Sequence, residues 1–272
     1  MSKVWRMTEF ADGIPRDPET GWIILPKDSQ WRKDSFFPPE VMEHPAKMNL
    51  YMEQAMIEYV AKPGDILLDP FGGTGTLMIA ALMGMTVILI ELEDGYHKLE
   101  QEARANLLKE KPDANVLLFQ GDNRFILPVP CNHIITSPPY AGAMDIRKVR
   151  DGDEDDDFVK ADRQMMEYSK SPRNISKLNT FLYNQAMERI YRLCYDSILP
   201  GGTLCVNIKD RIEGNKRVYL SKWIDRVCTK IGFKQEAWFK WLVPGHQFTN
   251  IRRSKGLETV DDEDCIIYRK EA

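Results

Sequence analysis

Residues 65–76 have the sequence DILLDPFGGTGT, in which a short apolar run passes directly into a glycine-rich loop. An apolar run of this length, ended by a turn signal, is typical of a buried β-strand. Glycines let the backbone approach a ligand closely, and the helix predicted over Thr76–Met83 presents unpaired N–H groups at its start. The stretch therefore predicts a strand whose carboxyl end carries a ligand-binding loop.

Two common nucleotide-binding patterns are incomplete in this chain. Gly73 and Gly75 supply the G-x-G of a nicotinamide-binding fingerprint, but Met78 occupies the place of its third glycine. The chain also lacks the G-x-x-x-x-G-K-[ST] element that binds nucleoside triphosphates. The glycine-rich loop by itself therefore leaves its ligand open.

Apolar runs alternate with amphipathic stretches along the rest of the chain. Further strands are predicted over Thr86–Glu91, Asn115–Gln120, His133–Thr136, Thr203–Ile208, Ala237–Val243 and Asp264–Tyr268. Helices are predicted over Tyr96–Lys109, Leu182–Leu199 and Leu220–Ile231. Continuous apolar strands separated by helices indicate an α/β fold with a parallel sheet covered on both faces. Such sheets bind ligands beyond the carboxyl ends of their strands.

A second motif, Thr136–Tyr140 (TSPPY), directly follows the predicted strand His133–Thr136. Its two prolines stiffen the backbone and remove two N–H donors, so nearby carbonyls face outward without local competition. Ser137 adds a hydroxyl that can accept a hydrogen bond, and Tyr140 adds an aromatic face for stacking. The motif suits a planar ring that bears an amine. A rigid turn with a packing tyrosine is the alternative.

Together the two motifs resemble the amino-methyltransferases of DNA, which modify cytosine N4 or adenine N6. That family carries a D-P-F-x-G-x-G-T loop for S-adenosylmethionine and a [DNS]-P-P-[YFW] catalytic motif, and both occur here nearly unaltered. The resemblance implies a Rossmann-like class I methyltransferase fold, with a mostly parallel seven-stranded sheet and helices on both faces. It also implies cofactor contacts from Asp69, Phe71, Gly72, Gly73, Thr74, Gly75 and Thr76, and catalytic roles for Ser137, Pro138, Pro139 and Tyr140.

Two further segments extend the resemblance on the cofactor side. His44 and Lys47 belong to an H-P-x-[QK] element, which in the family precedes a helix and helps to hold the methionine part of S-adenosylmethionine. Glu91 ends the second predicted strand, where the family places an acid on the ribose hydroxyls. A solvated carboxylate at the strand end, like Glu93 and Asp94, is the alternative for Glu91.

The end of the third predicted strand carries a polar pair, Asp122 and Asn123. The family contacts the cofactor adenine at this point, and the Asp122 carboxylate could accept a hydrogen bond from the adenine amino group. An Asx turn, in which the carboxylate binds its own backbone, is the alternative.

The resemblance implies methylation of the exocyclic amine of a base flipped out of double-stranded DNA, with cytosine N4 as the favoured target. Ser137 and the Pro138 carbonyl would accept hydrogen bonds from the amine, so that its lone pair points at the sulfonium methyl, and Tyr140 would stack on the ring. The alternatives are adenine N6 of DNA, an amino group of an RNA base, and a non-catalytic regulatory subunit that binds the cofactor. A cytosine-C5 enzyme is excluded because Cys131, which follows a proline, lies before the fourth predicted strand rather than after it.

The predicted domain organisation is an N-terminal arm over residues 1–43 and a catalytic domain over 44–272. The arm is expected to pack on the catalytic domain through its tryptophans. Residues 141–177 form a polar insert after the fourth predicted strand, which suits a lid or a target-recognition element. A flexible surface loop is the alternative, and no large separate recognition domain is present in this chain.

The charge distribution bears on the nucleic-acid partner. The net charge is −4, but residues 151–157 (DGDEDDD) contribute six of the acids. Residues 207–255 contain 12 Lys and Arg against 4 Asp and Glu, a local excess that suits phosphate contact. A solvated basic face is the alternative.

Five cysteines form no C-x-x-C pair and match no zinc spacing, which indicates free thiols in a reducing compartment and no metal site. No apolar run approaches membrane length, and residues 1–28 lack the apolar core of a secretion signal. The sequence therefore predicts a cytoplasmic protein without a membrane partner.

Overall fold

The computed structural model describes residues 9–43, 47–140, 171–213, 216–243 and 253–272. His44 and the part of the predicted insert before Ser171 lie outside these ranges, whereas residues 171–177 lie within them.

Nine strands lie in the described part of the chain: β1 (Ile66–Asp69), β2 (Thr86–Glu91), β3 (Asn115–Gln120), β4 (Cys131–Thr136), β5 (Ile198–Ile208), β6 (Arg211–Glu213), β7 (Lys216–Val218), β8 (Lys234–Leu242) and β9 (Asp262–Arg269). β6 and β7 pair as a separate antiparallel hairpin, and the other seven form one sheet in the order β3-β2-β1-β4-β5-β9-β8. β1 to β5 are parallel, and β9 is antiparallel to both β5 and β8. The mostly parallel seven-stranded sheet confirms the predicted Rossmann-like α/β fold.

Within the described ranges, seven α-helices connect or flank these strands: α1 (Ser29–Lys33), α2 (Leu50–Val60), α3 (Ile79–Leu82), α4 (Asp94–Glu110), α5 (Asn123–Ile126), α6 (Thr180–Ser197) and α7 (Leu220–Ile231). Asparagine side chains cap the N-termini of α2 and α6: Asn49 accepts a hydrogen bond from Tyr51 N, and Asn179 accepts one from Leu182 N. Such caps satisfy N–H groups that have no partner inside the helix.

Two predicted elements differ in detail from the structure. The helix predicted over Thr76–Met83 is a 3₁₀ turn (Thr76–Met78) followed by the short α3. β5 begins at Ile198 rather than at Thr203, because the glycines before Thr203 are hydrogen-bonded to the residue that follows β9. Gly201 N donates to the Lys270 carbonyl and Lys270 N donates to the Gly202 carbonyl, each at 2.9 Å.

Two apolar cores fill the two faces of the sheet. Leu67 belongs to the core on the side of α2, α3 and α4, whereas the next residue, Leu68, belongs to the core on the side of α6 and α7. Successive side chains of a strand point to opposite faces, so a strand that is apolar at every position is buried on both sides. This two-sided burial leaves the strand ends as the places where polar groups meet solvent.

The N-terminal segment packs on the outer strand β8. Ile23 is fully buried, its N–H donates to the Lys240 carbonyl at 2.9 Å, and its carbonyl accepts from Leu242 N at 2.8 Å. The Phe10 ring stacks on Phe239 with a centroid separation of 4.0 Å. Tryptophan contributes through Trp31, which meets a tyrosine of α2 edge-on, and through Trp22, whose ring centroid lies 5.4 Å from Lys240 Nζ of β8. The fully buried contacts come from phenylalanine and isoleucine. The proposed boundary between residues 43 and 44 stays a prediction.

All five cysteines are free and buried. Burial raises the pKa of the Cys131 thiol to about 12, so this group stays protonated near neutral pH. Among the described residues, no helix combines the length and the apolar composition needed to cross a bilayer.

Candidate functional site

A cleft of about 860 Å³, partly open to solvent, lies at the carboxyl ends of β1, β2 and β4 and beside the turn that follows β3. Its wall brings together most of the residues that the sequence singled out: Lys47, Asp69, Phe71, Gly72, Gly73, Thr74, Thr76, Glu91, Asp122, Asn123, Ser137 and Pro139. Gly75, Pro138 and Tyr140 do not line the cleft, and His44 lies outside the described residues. The glycine-rich loop and the proline loop therefore share one cavity.

The glycine-rich loop is a tight turn folded over the end of β2. Gly72 N donates to the Ile90 carbonyl at 3.0 Å, and Gly75 N donates to the Gly72 carbonyl at 2.9 Å. Gly75 has a φ of 75°, a conformation that side chains other than glycine rarely adopt. A Cβ atom on Gly72 would lie 2.2 Å from Oε1 of Glu100. The loop sequence is therefore fixed by backbone conformation and by close packing, independently of any ligand.

Asp69 ends β1 with a buried carboxylate at the base of the cleft. Its Oδ1 accepts hydrogen bonds from Phe71 N at 2.9 Å and from the Thr136 hydroxyl at 2.7 Å. Burial raises the pKa of Asp69 to about 6, although both hydrogen bonds favour the charged form. The side chain thus holds the start of the glycine-rich loop and contacts the strand that leads into the proline loop.

Glu91 ends β2 and is only 7% exposed, so it is not the solvated carboxylate of the alternative interpretation. Its Oε2 accepts from Gly73 N at 2.7 Å, and its Oε1 accepts from Glu93 N at 2.6 Å. Burial raises the pKa of Glu91 to about 7. The carboxylate is therefore oriented by two backbone donors and faces the cleft beside the glycine turn.

The polar pair after β3 has two different contacts. Asp122 forms the Asx turn of the alternative interpretation, because its Oδ1 accepts from Arg124 N at 3.0 Å while both of its oxygens bind the Arg124 guanidinium. Burial acts to raise the pKa of Asp122, but the hydrogen bonds and charge of Arg124 outweigh it and lower that pKa. Asn123 Nδ2 donates to the Pro70 carbonyl at 2.8 Å, which joins this turn to the glycine-rich loop.

Two tyrosine hydroxyls hold the proline loop. Tyr183 of α6 donates to the Pro139 carbonyl at 2.5 Å, and the Tyr140 hydroxyl accepts from Lys209 N at 3.1 Å. The Tyr140 ring packs against the core on the side of α6 and α7. Ser137 lines the cleft, and no described residue forms a hydrogen bond with its hydroxyl. The loop is thus fixed from behind, and the Ser137 hydroxyl is the group that it offers to the cavity.

A known protein family matches the part of the chain that contains several of these cleft residues. The model of a family described as DNA methylase matches residues 2–102, the stretch that includes the glycine-rich loop and Glu91. The resemblance to DNA methylases is confirmed over that stretch.

Other similar proteins match more weakly or in fold only. YubD of Escherichia coli (strain K12), provisionally described as a methylase, is 40% identical over 63 residues, which is 23% of this chain and 28% of the length of YubD. A precorrin 8w decarboxylase of Methanobacterium thermoautotrophicum has 14% identity and a TM-score of 0.50, covering 90% of this chain and 99% of that protein. A SAM-dependent methyltransferase of Methanosarcina mazei has 10% identity and a TM-score of 0.49, covering 79% and 97%. At such identities, structural likeness shows the fold alone.

A buried carboxylate of α2, Glu53, also lines the cleft, although no sequence motif singles it out. It lies on the apolar face of the helix, three residues after Leu50 and four before Ile57, both fully buried. A charged residue on the apolar face of a predicted amphipathic helix is the sequence signal that could have identified Glu53.

The described end of the insert also reaches the cleft through Arg173, Asn174 and Ile175. It is held by Glu93, whose Oε1 accepts from Asn174 Nδ2 at 2.9 Å and whose Oε2 accepts from Ser171 N at 3.2 Å. The comparison of Glu93 with exposed strand-end acids is wrong, because Glu93 is only 7% exposed and holds this segment. The described end of the insert is therefore part of the cleft wall.

Parts of the basic region after residue 207 are neutralised within the protein. Arg217 bridges Asp210 and Asp262, with nitrogen to oxygen distances of 2.8 and 2.9 Å, and Lys240 pairs with Asp262 and Asp264. These cations stabilise β7, β8 and β9, so the local charge excess overstates the basic surface available to phosphates.

Proposed function

We propose that this protein is a methyltransferase that uses S-adenosylmethionine and methylates the exocyclic amino group of a DNA base, with cytosine N4 as the target. The observation that carries the proposal is the shared cleft, because the glycine-rich loop and Ser137 of the proline loop both line it. The glycine-rich loop suits the methyl donor and the proline loop suits the amine, so the two reactants would bind in the same cavity. The family match over residues 2–102 supports a DNA methylase.

The residues of the cleft fit the cofactor. Glu91 offers an oriented carboxylate that suits the ribose hydroxyls, and Lys47 lies in the cleft wall where it suits the cofactor carboxylate. When bound, S-adenosylmethionine would supply a methyl carbon activated by a positively charged sulfur: the amine nitrogen would bond to that carbon as the carbon–sulfur bond breaks, S-adenosylhomocysteine would leave, and the nitrogen would lose its extra proton to water.

The role proposed for the proline loop is to orient the amine. An exocyclic base amine is a weak nucleophile because its lone pair is delocalised into the ring. A hydrogen bond from the amine to the Ser137 hydroxyl favours a pyramidal nitrogen with its lone pair free to react. The Pro138 carbonyl, the second acceptor that the resemblance implies, does not line the cleft, so the proposal rests on Ser137. Tyr183 and Lys209 hold the loop from outside the cleft, so the Ser137 hydroxyl is fixed before the base arrives. Orientation and fixed dipoles of this kind lower a barrier without a covalent enzyme intermediate.

The proposed polymer is double-stranded DNA with the reactive base rotated out of the stack. A stacked base presents its amine inside the groove, and extrusion costs a few kcal/mol. Lys and Arg side chains near the cleft, among them the exposed Arg173, are suited to hold phosphates, with an affinity that falls as salt increases.

The decisive experiment incubates the purified protein with methyl-labelled S-adenosylmethionine and with matched DNA and RNA duplexes. The nucleic acid is then digested to nucleosides, and the labelled nucleoside is identified by mass. We expect N4-methyldeoxycytidine from DNA. Formation of N6-methyldeoxyadenosine would show that the target base is adenine and not cytosine. Label found in RNA alone would show that the substrate is RNA and not DNA. Cofactor binding without transfer to any nucleic acid would indicate a regulatory subunit instead.

A further inference from the structure

Two large apolar side chains are exposed at the start of α6. Phe181 is 69% exposed and Leu182 is 44% exposed, although they belong to the first turn of a helix whose other face is buried. This turn is well fixed, because Asn179 Oδ1 accepts a hydrogen bond from Leu182 N at 3.0 Å. Adjacent exposed apolar side chains with polar neighbours are typical of a surface that contacts another molecule.

The first turn of α6 is attached to the proline loop. Tyr183 follows Leu182, is buried, and donates its hydroxyl to the Pro139 carbonyl at 2.5 Å. Successive residues of an α-helix are rotated by about 100°, so Phe181 and Leu182 point away from the buried Tyr183. Side chains of a helix also lean toward its N-terminus, which in α6 is the end near the proline loop. The pair therefore lies on the solvent side of the rim that carries Ser137.

The charges around this pair suit a nucleic acid. Residues 171–187 contain Arg173 and Lys177 and no Asp or Glu. Both cations are exposed, and Arg173 also lines the cleft. Exposed cations suit phosphates, and apolar side chains beside them suit the faces of unstacked bases. The rim next to the proline loop thus offers both kinds of contact that an opened duplex needs.

Rotation of a base out of a duplex leaves a gap in the base stack. The rotation is unfavourable because the stacking and pairing of that base are lost. Apolar side chains such as Phe and Leu that insert between base steps offset this cost. An inserted ring must be exposed, rigidly held and close to the site that receives the base. Phe181 meets these three conditions, and Leu182 widens the apolar surface.

We infer that Phe181, together with Leu182, inserts into the DNA base stack beside the target and stabilises the duplex from which the target base has been rotated out. The inference rests on the proposed function and adds to it the group that holds the duplex open. Phe181 is a positioning residue, since it contacts bases other than the one that is methylated.

The test compares methyl transfer to a DNA duplex with transfer to the single strand of the same sequence, using the DNA in which the nucleoside assay finds label. A single strand needs no base extrusion, so only the duplex depends on insertion. For Phe181→Ala we expect kcat/KM on the duplex to fall about 10- to 100-fold, as for loss of one contact between a base and an aromatic ring. The rate on the single strand and the affinity for S-adenosylhomocysteine should be unchanged.

Two rescue experiments separate insertion from a structural effect. A duplex with a mismatch at the target should restore most of the rate lost in Phe181→Ala, because a mismatched base costs less to extrude. Phe181→Trp keeps an aromatic face and should retain most of the activity on the paired duplex.

Phe125→Ala is the matched control. Phe125 of α5 is 73% exposed, and its ring lies beside Arg189, with the guanidinium carbon 5.8 Å from the ring centroid. Arg189 is about two turns further along α6 than Phe181, so this phenylalanine lies away from the rim. Its replacement should leave the rates on the duplex and on the single strand unchanged.

Three results would overturn the inference. An unchanged duplex rate in Phe181→Ala would show that the ring does not support base extrusion, and an accompanying change in oligomeric state would assign the pair to a protein interface. Equal losses on the duplex and the single strand would assign Phe181 a role in holding the proline loop. A wild-type protein that methylates only single strands has no duplex to open. Transfer to no nucleic acid at all would instead remove the proposed function, and the inference with it.

Discussion

The hydroxyl of Thr136 donates a hydrogen bond of 2.7 Å to Oδ1 of Asp69, between residues that lie 67 positions apart in the chain. Both side chains are buried at the carboxyl ends of adjacent parallel strands, β4 and β1. The glycine-rich loop starts directly after Asp69, and the proline loop starts directly after Thr136. This bond therefore fixes the spacing of the two loops that form the cleft.

Replacing Thr136 with valine keeps the shape of the side chain and removes the donor. We expect the free energy of unfolding to fall by about 1–3 kcal/mol, because a buried carboxylate loses a hydrogen bond. The pKa of Asp69 should rise further, since that bond favours the charged form. Urea unfolding measures the first effect. Thr86→Val is the control, because its hydroxyl only accepts from the exposed Asn115 side chain and should cost much less. Equal losses in the two variants would contradict the importance given to this bond.

Replacing Ser137 with alanine should separate catalysis from cofactor binding. Turnover on DNA should fall by about 10²-fold or more, as for loss of one fixed polar group that acts on the reacting atoms. The affinity for S-adenosylhomocysteine should stay unchanged, because the residues proposed to hold the cofactor are others. Steady-state rates and calorimetry test the two parts. Loss of both functions to the same degree would contradict the role assigned to Ser137.

Replacing Gly73 with valine should abolish cofactor binding. Gly73 has a φ of 55°, where a β-branched residue is strained, and its N–H holds Glu91 at 2.7 Å. Gly64→Val is the matched control, because Gly64 also has a positive φ, of 91°, but lies outside the cleft wall. Both variants should lose stability, and only Gly73→Val should lose binding of S-adenosylhomocysteine in calorimetry. If Gly73→Val binds S-adenosylhomocysteine with wild-type affinity, the glycine-rich loop does not take part in cofactor binding.

The free energy of unfolding of the unliganded protein should fall between pH 6.5 and pH 8. The folded-state pKa values of Glu91 and Glu53 are raised, to about 7 and about 8. A group with a raised pKa contributes stability that is present below its unfolded pKa and is lost as pH rises through the folded value. His97 and His133 have lowered pKa values and act in the opposite direction, but their effect is complete near their ordinary value of 6.5.

Urea unfolding at several pH values across this window measures the effect of pH on stability. Glu53→Gln should show a smaller decrease than the wild-type protein, because one of the buried carboxyls with a raised pKa is gone. Stability that stays constant or rises from pH 6.5 to pH 8 would contradict the burial of these carboxyls.

Replacing Glu93 with alanine should release the segment that closes one side of the cleft. The carboxylate accepts from Ser171 N and from Asn174 Nδ2, and alanine removes both bonds. Amide hydrogen exchange over residues 171–177 should become faster, as in a segment that opens locally. Asp94→Ala is the control, because that neighbouring carboxylate forms an exposed pair with Lys98 and should leave the segment unchanged. Unchanged exchange in Glu93→Ala would show that the bonds to Glu93 do not hold the segment.

Local pattern was enough to predict the central sheet and not enough to predict its details. The apolar run before Asp69 and the helix over Leu220–Ile231 agree closely with the structure, because burial on two faces or on one helix face has a clear periodicity. The early start of β5 and the β6–β7 hairpin were not predicted. The first depends on pairing of Gly201 with Lys270, a contact between distant parts of the chain that local sequence does not specify.

The sequence by itself determined the order of the strands and helices and the two motif loops, because those depend on hydrophobic periodicity and on the backbone restrictions of glycine and proline. Tertiary structure decided which carboxylates are buried and what each one contacts. Glu53, Glu91 and Glu93 are the same residue type, yet Glu53 Oε1 has no hydrogen-bond partner among the described residues, Glu91 holds the glycine turn and Glu93 holds the described end of the insert. Burial and hydrogen bonding depend on which distant segments pack together, and no local pattern carries that information.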